Sequence, residues 1–209
     1  MGNRCVITTK ENFESNGVGV YLHWNGGRDS VEAFLKYCEM KGYREPEFDN
    51  YGWARLVQVT ANFFGGSLDV GIDTIDNLDC RNGDNGVYII QGWKIVDRKY
   101  FYSMYEQQEY PLDEMLLAID ERMPIKEQFG ETYLKGEIVK PEQMKVGDIV
   151  AFLDWKNEVI VERIIGIGAD EYCNGHHVLG VPYVGRYGDE PVKNPNNYLF
   201  DDREYRLIR

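Results

Sequence analysis

Asn25-Gly26-Gly27-Arg28-Asp29-Ser30 is the segment of this chain whose residue types and order best suit a chemical task. The apolar run Val18–Trp24 ends there, and an amphipathic stretch begins at once. A glycine turn feeding a helix N-terminus presents free backbone N–H groups, which suit an anion such as a phosphate. In that arrangement Arg28 and the N–H groups of Gly27 and Ser30 would hold the negative charge. The same residues also describe a tight turn using positive φ, then a helix with Asp29 as N-cap and Glu32 completing a capping box. Both readings stay open on the sequence.

A second set of side chains is acidic. Asp69, Asp73, Asp76, Asp79 and Asp84 fall in a Gly- and Asn-rich stretch. Hard cations take carboxylate clusters, but Arg81 sits where an EF-hand needs a ligand. The stretch reads instead as an exposed acidic loop, or as carboxylates that face Arg and Lys on a partner. Asp113, Glu114, Asp120 and Glu121 carry the same character onto a helix further along. His176 and His177, adjacent in a strand, would point to opposite faces and not converge on one ion. His23 is either a hydrogen-bonded core residue or, facing the turn, a general base. Cys5, Cys38, Cys80 and Cys173 lie far apart with no CxxC pair, so neither zinc nor a disulfide framework is expected. These spacings call for no metal and no cofactor.

The charge balance narrows the partners. With 23 Lys and Arg against 35 Asp and Glu, the formal net charge is -12. Nucleic-acid binding depends on cations that displace counterions, so direct binding of DNA or RNA over a broad face is disfavoured. Ordinary solubility or a partner with a basic surface accounts for the charge. The opening residues lack the apolar stretch of a signal peptide, and no run approaches membrane-spanning length. A soluble, reduced, cytoplasmic protein is expected, with no membrane partner.

The elements that must position these residues follow from periodicity. Cys5–Thr9 and Val18–Trp24 read as strands. Val31, Phe34, Leu35 and Cys38 share one face of a helix that Gly42 stops. A second helix covers Tyr51–Phe64, with Trp53, Leu56, Val57 and Phe64 as its stripe and Asn50 as cap. Residues 69–86 read as a long loop with one short strand. Val87–Ile90 and Trp93–Val96 flank Gln91-Gly92 as a hairpin. A third helix follows Pro111, with Leu112, Met115, Leu116 and Ile119 inward, and Pro124 ends it. Strands then dominate: Ile149–Leu153, Val159–Ile165, His177–Val184 and Tyr205–Ile208. Tyr100, Phe101, Tyr102, Tyr105 and Tyr110, with Met104 among them, suit either partial burial or an exposed contact patch, and partial burial is the expectation. The class is α+β: a mixed N-terminal half with two or three helices on a small sheet, and a β-rich C-terminal half arranged as a sheet or a partly open barrel. The expected boundaries are a mixed domain over 1–110, a connecting helix over 111–135 and a β-rich subdomain over 136–209.

Three resemblances bear on function. Gly26, Gly27, Asp29 and Ser30 match the S-G-G-x-D-S loop of the PP-loop ATP pyrophosphatases residue by residue, with Asn25 where that family has its first Ser. The resemblance implies a nucleotide site at Asn25–Ser30, yet the parallel sheet of that family is not what this chain's pattern offers. Met144–Phe152 with Val159–Gly168 resembles the β-hairpin core of signal-peptidase and LexA-like proteases. Glu162 stands nearest the base Lys of that family and no Ser nucleophile motif precedes it, which argues against peptidase activity. Finally, ITTKENF, GVYLHWNGGRDSVEAFL and YGWARLVQV resemble small proteins of bacteriophages and mobile elements, a setting that includes acidic anti-CRISPR and antirestriction inhibitors.

The leading expectation is a non-enzymatic protein that blocks a basic surface of a host nucleic-acid-handling defence protein through Asp69–Asp84 and the acidic helix Asp113–Glu121. The rival expectation is a nucleotide- or phosphate-binding enzyme built on Asn25–Ser30.

Overall fold

The computed structural model of the chain describes residues 2–47, 50–66, 68–168, 177–182, 197–199 and 203–208. It is an α+β protein that divides into two compact units, Met1–Gln128 and Phe129–Arg209.

The first unit is built on five strands. Strand β1 (Cys5–Thr9) runs into a short helix, α1 (Lys10–Ser15), and back along β2 (Val18–Leu22). Helices α2 (Arg28–Met40) and α3 (Asn50–Phe63) follow, then β3 (Val70–Thr74), the hairpin of β4 (Val87–Gln91) and β5 (Lys94–Lys99), and α4 (Leu112–Arg122). The sheet order is β3-β2-β1-β4-β5. Only β1 and β4 are parallel, with Val6 opposite Val87; every other pairing is antiparallel.

Alternation puts successive side chains of β1 and β4 on opposite faces, and both faces are buried. Val6, Val87 and Ile89 pack with Ile75, and Phe13 of α1, Tyr21, Leu78 and Cys80 close over them. Cys5, Ile7, Tyr88 and Ile90 turn the other way. Helix α2 explains its own burial: besides the expected Val31, Phe34, Leu35 and Cys38, it buries Ser30, Ala33, Tyr37 and Met40. It packs against α3 and α4, so its buried face spans more than half of its circumference, with Glu32, Lys36 and Glu39 on the other side. A stripe that wide exceeds what a helix with one inner face needs.

Some expectations shift. Helix α1 was not foreseen, although Thr9 caps it by accepting from the Asn12 N–H at 3.3 Å and Asn16 closes it at φ 56. The residues 69–86 do contain one short strand, β3, at the sheet edge. Within the expected connecting segment 111–135, α4 packs with α2 and α3 in the first unit, and only the residues from Phe129 on belong to the second.

The second unit holds a short helix, α5 (Glu131–Leu134), and six strands: β6 (Glu137–Val139), β7 (Ile149–Leu153), β8 (Val159–Gly168), β9 (His177–Pro182), β10 (Asn197–Leu199) and β11 (Tyr205–Ile208). Their order is β10-β9-β8-β7-β11-β6, so the described strands form an open sheet with β10 and β6 at its ends, not a closed barrel. Met144, Val150, Phe152, Ile164 and Tyr205 make its core. Arg206 ties β11 to α5 by donating to the Leu134 carbonyl at 2.8 Å, with its guanidinium over the Tyr133 ring.

No helix among the described residues is long and apolar enough to cross a membrane.

Candidate functional site: a tethered aromatic loop

At the end of the first sheet where β1 and β4 begin, four segments converge: Asn3-Arg4, the turn Asn25–Gly27, the loop Asp79–Gly86 and the loop 100–110. Asn85, fully buried, joins them. Its N–H donates to the Arg4 carbonyl at 3.1 Å. Its side-chain Nδ2 donates to Asn3 Oδ1 at 2.6 Å, and its Oδ1 accepts from the Gln107 N–H at 2.8 Å. Its carbonyl accepts from Arg98 Nε at 2.6 Å. Asn82 beside it accepts from the N–H groups of Asp84 and Gly86. Buried amides need partners on every polar atom, and here each bond also fixes a segment.

Arg98 does the largest share of the tethering. Its guanidinium donates to the carbonyls of Ser103, Met104 and Tyr105, and lies 3.6 Å from Glu106. Glu106 forms a two-pronged pair with Arg28 at 2.5 and 2.8 Å. That hydrogen-bonded carboxylate holds the Arg28 guanidinium above its ordinary range, against the opposing effect of burial. Arg28 also lies over the ring of Tyr88, whose buried hydroxyl has no hydrogen-bond partner among the described residues.

Asp29 is not the N-cap. Helix α2 starts at Arg28 and its cap position is Gly27, which supplies no side chain. Asp29 Oδ1 accepts from the Ser30 N–H at 2.7 Å, and Oδ2 accepts from the N–H groups of Glu109 and Tyr110, both at 2.6 Å. The expected capping box also fails, because Glu32 turns to Arg28. Nor do the glycines supply positive φ: that falls on Asn25, at φ 52, while Gly27 sits at φ -68. The glycines serve close approach. A Cβ on Gly26 would lie 2.6 Å from the Asn3 carbonyl oxygen, and one on Gly27 only 1.8 Å from that of Gln107.

The turn Asn25–Ser30 is thus covered by the chain itself. The Gln107 carbonyl rests on Gly27, Glu106 neutralises Arg28, and the Ser30 N–H is taken by Asp29. An anion at α2 would have to displace both Glu106 and the backbone at Gln107.

The product of this network is a loop whose backbone is fixed and whose rings face outward. Tyr105 is 85% exposed, Met104 75% and Tyr102 73%; Tyr100, Phe101 and Tyr110 are also exposed. The expectation of partial burial is therefore corrected for Tyr102, Met104 and Tyr105, while Tyr100, Phe101 and Tyr110, at 44–49% exposed, keep about half of their surface covered. Arg81 stacks on Phe101 at 5.4 Å and Arg98 on Tyr100 at 5.1 Å.

The acidic residues sort into two groups. Asp84 and Asp79 pair with Arg4 at 2.7 and 3.2 Å, and Asp84 is largely shielded. Arg4 also donates to the Asn82 carbonyl, so these carboxylates fold their own loop. Asp120 is withdrawn from the surface altogether: it is 2% exposed and accepts from the Tyr37 hydroxyl at 2.7 Å, locking α4 to α2. Burial, then that hydrogen bond, push the Tyr37 phenol well above its ordinary range. Asp69 is half-buried beside β3, and its carbonyl accepts from the His23 N–H. Asp73 accepts from the Thr74 N–H and from Asn77, which holds its carboxyl below the usual range. Asp76, Asp113, Glu114 and Glu121 are exposed, as is Glu109. Glu109, Asp113 and Glu114 make no ion pair among the described residues.

His23 shares a hydrogen bond with the Tyr21 hydroxyl at 3.1 Å and lies edge-on to Trp24. Cys5 and Cys38 are buried free thiols pushed up by desolvation, and Cys80 is a half-buried one. Glu162 is fully buried on β8. Cys173 and His176 lie outside the described residues, and His177 opens β9. Among the described residues, no group of His, Cys, Asp and Glu is arranged to hold a metal ion.

Sequence reasoning missed Asn3, Asn85, Arg98, Glu106 and Gln107. The dense Asn-Gly pattern of residues 81–86 was the available signal, since such loops bring buried amides to the backbone of distant segments. No family model matches this chain, and no curated protein or solved structure matches it either.

Proposed function

We propose that the protein is a non-enzymatic binding protein that covers a basic surface of a partner, and that the loop 100–110 with the start of α4 is the contact. The observation that carries this reading is the loop itself: its backbone is held by Arg98, Asn85 and Asp29 and its Glu106 side chain by Arg28, while Tyr102, Met104 and Tyr105 project into solvent. Rigid exposed aromatics gain contact area with little ordering entropy, and they dominate the energetics of binding surfaces. The net charge of -12 supports a positively charged partner by steering encounter. A protein that handles nucleic acid offers such a surface. Together with the resemblance of the opening residues to proteins of phages and mobile elements, this points to an inhibitor of a host defence enzyme.

No geometric observation favours the nucleotide-binding reading, since Glu106 and Gln107 occupy the place a phosphate would take. The test is capture of partners from host lysate by the intact protein, eluted over a salt gradient and repeated with Tyr102→Ala/Tyr105→Ala. Nucleic-acid-handling proteins that elute with salt and are lost with the double variant are expected. Identical capture by both forms would overturn the assignment of this loop, and salt-insensitive capture would overturn the basic partner.

A further inference from the structure

The chemistry of this surface selects among cations. From Tyr100 to Glu121 the chain has no Lys or Arg, while Glu109, Asp113 and Glu114 stand exposed and without ion pairs among the described residues. The acidic groups elsewhere in the network are different: Asp79 and Asp84 share Arg4, and Glu106 is paired with Arg28 and Arg98. Glu109, Asp113 and Glu114 thus add unpaired negative charge to the stretch of chain that carries the exposed rings. Two of the loop's rings already carry guanidinium groups of this same chain, Arg81 on Phe101 and Arg98 on Tyr100. Tyr102, Tyr105 and Tyr110 repeat that ring type as exposed side chains in the same short stretch of chain as the unpaired carboxylates.

We propose that this surface takes an arginine-rich segment of the partner, with guanidinium planes stacked on Tyr102, Tyr105 and Tyr110 and their N–H groups paired with Glu109, Asp113 and Glu114. This rests on the basic-partner reading above and narrows it. A guanidinium is planar, weakly hydrated and able to fork onto a carboxylate, so it satisfies ring and carboxylate together. An ammonium is a compact, strongly hydrated charge and gains from the carboxylates alone.

The experiment titrates the intact protein with two peptides of equal length and charge, one spaced with Arg and one with Lys, by fluorescence anisotropy at several salt concentrations. The Arg peptide is expected to bind about tenfold tighter or better. Tyr102→Ala and Tyr105→Ala should bring it down to the Lys value, and Asp113→Asn/Glu114→Gln should weaken both peptides and flatten their salt dependence. These side chains are exposed, and an unchanged thermal midpoint verifies that each variant folds. Equal affinity for the two peptides, or an Arg preference unmoved by the tyrosine variants, would overturn this inference and leave the basic-partner reading standing. Failure of both peptides to bind even at low salt would overturn that reading as well.

Discussion

Asn85 illustrates how a single amide can hold separate stretches of chain in place. Its partners Asn3 and Gln107 are 82 and 22 residues away in sequence. Asn85→Ala would leave buried donors and acceptors on both segments unsatisfied, and should lower stability by about 2 kcal/mol or more. Urea denaturation measures this, and hydrogen exchange should quicken around Gln107. Asp120 makes a second residue-level case. It has the right type and helix phase to look like a surface acid, yet it faces Tyr37. Asp120→Ala should lose about 1–3 kcal/mol, and Tyr37→Phe should cost much less in that background than in the unaltered chain. Additive losses in the double-mutant cycle would show that the two side chains do not act as a pair. Neither role was legible in the sequence, because each depends on a contact with a distant element and charge alone favours the exterior.

Helix α2 and the loop over its N-terminus show what is legible at the scale of elements. The spacing of Val31, Phe34, Leu35 and Cys38 places the helix, and Gly42 at φ 62 stops it as expected. The identity of its cap was misread, since Asp29 lies inside the first turn and spends one oxygen on the Ser30 N–H and the other on a backbone 80 residues away. Nothing local distinguishes those uses. Gly27 gives a clean test of the loop's seat. Its φ of -68 suits alanine, so Gly27→Ala ought to be neutral or stabilising on backbone grounds. The Gln107 carbonyl reverses that sign, because a methyl group has no room beneath it. The variant should lose about 1–3 kcal/mol and expose the loop 100–110 to limited proteolysis. Protease resistance equal to that of the unaltered chain would mean that the loop is held by its side-chain tethers alone. The hairpin of β4 and β5 was readable from Gln91-Gly92, but not that the Gly92 N–H is held by the carboxylate of Glu47.

Taken as a whole, the molecule should be labile to alkali. The thiols of Cys5 and Cys38 and the phenols of Tyr37, Tyr88 and Tyr133 are all pushed up, chiefly by burial. An acid whose folded value lies above its unfolded one keeps its proton in the native state where the unfolded chain releases it. Its contribution is complete below the unfolded value and is lost as pH climbs from there toward the folded one. The urea midpoint should therefore be level near neutrality, fall past roughly pH 8.5 as unfolded thiols ionise, and fall faster past roughly pH 10 with the phenols. A flat profile to that limit would contradict the burial of these groups. The α+β class was legible from the alternation of periods along the chain. The parallel pairing of β1 with β4 was not, because no local pattern distinguishes a strand's third neighbour from its first. That pairing has a consequence for how the protein is born. Arg4 and Asp84, which meet at its foot, are 80 residues apart, and at typical synthesis rates of about 5–20 residues per second the second arrives roughly 4 to 16 s after the first. Through that interval β1 has β2 on one side and no mate on the other, and the unpaired edge is one on which a nascent chain can recruit a chaperone or stick to its neighbours.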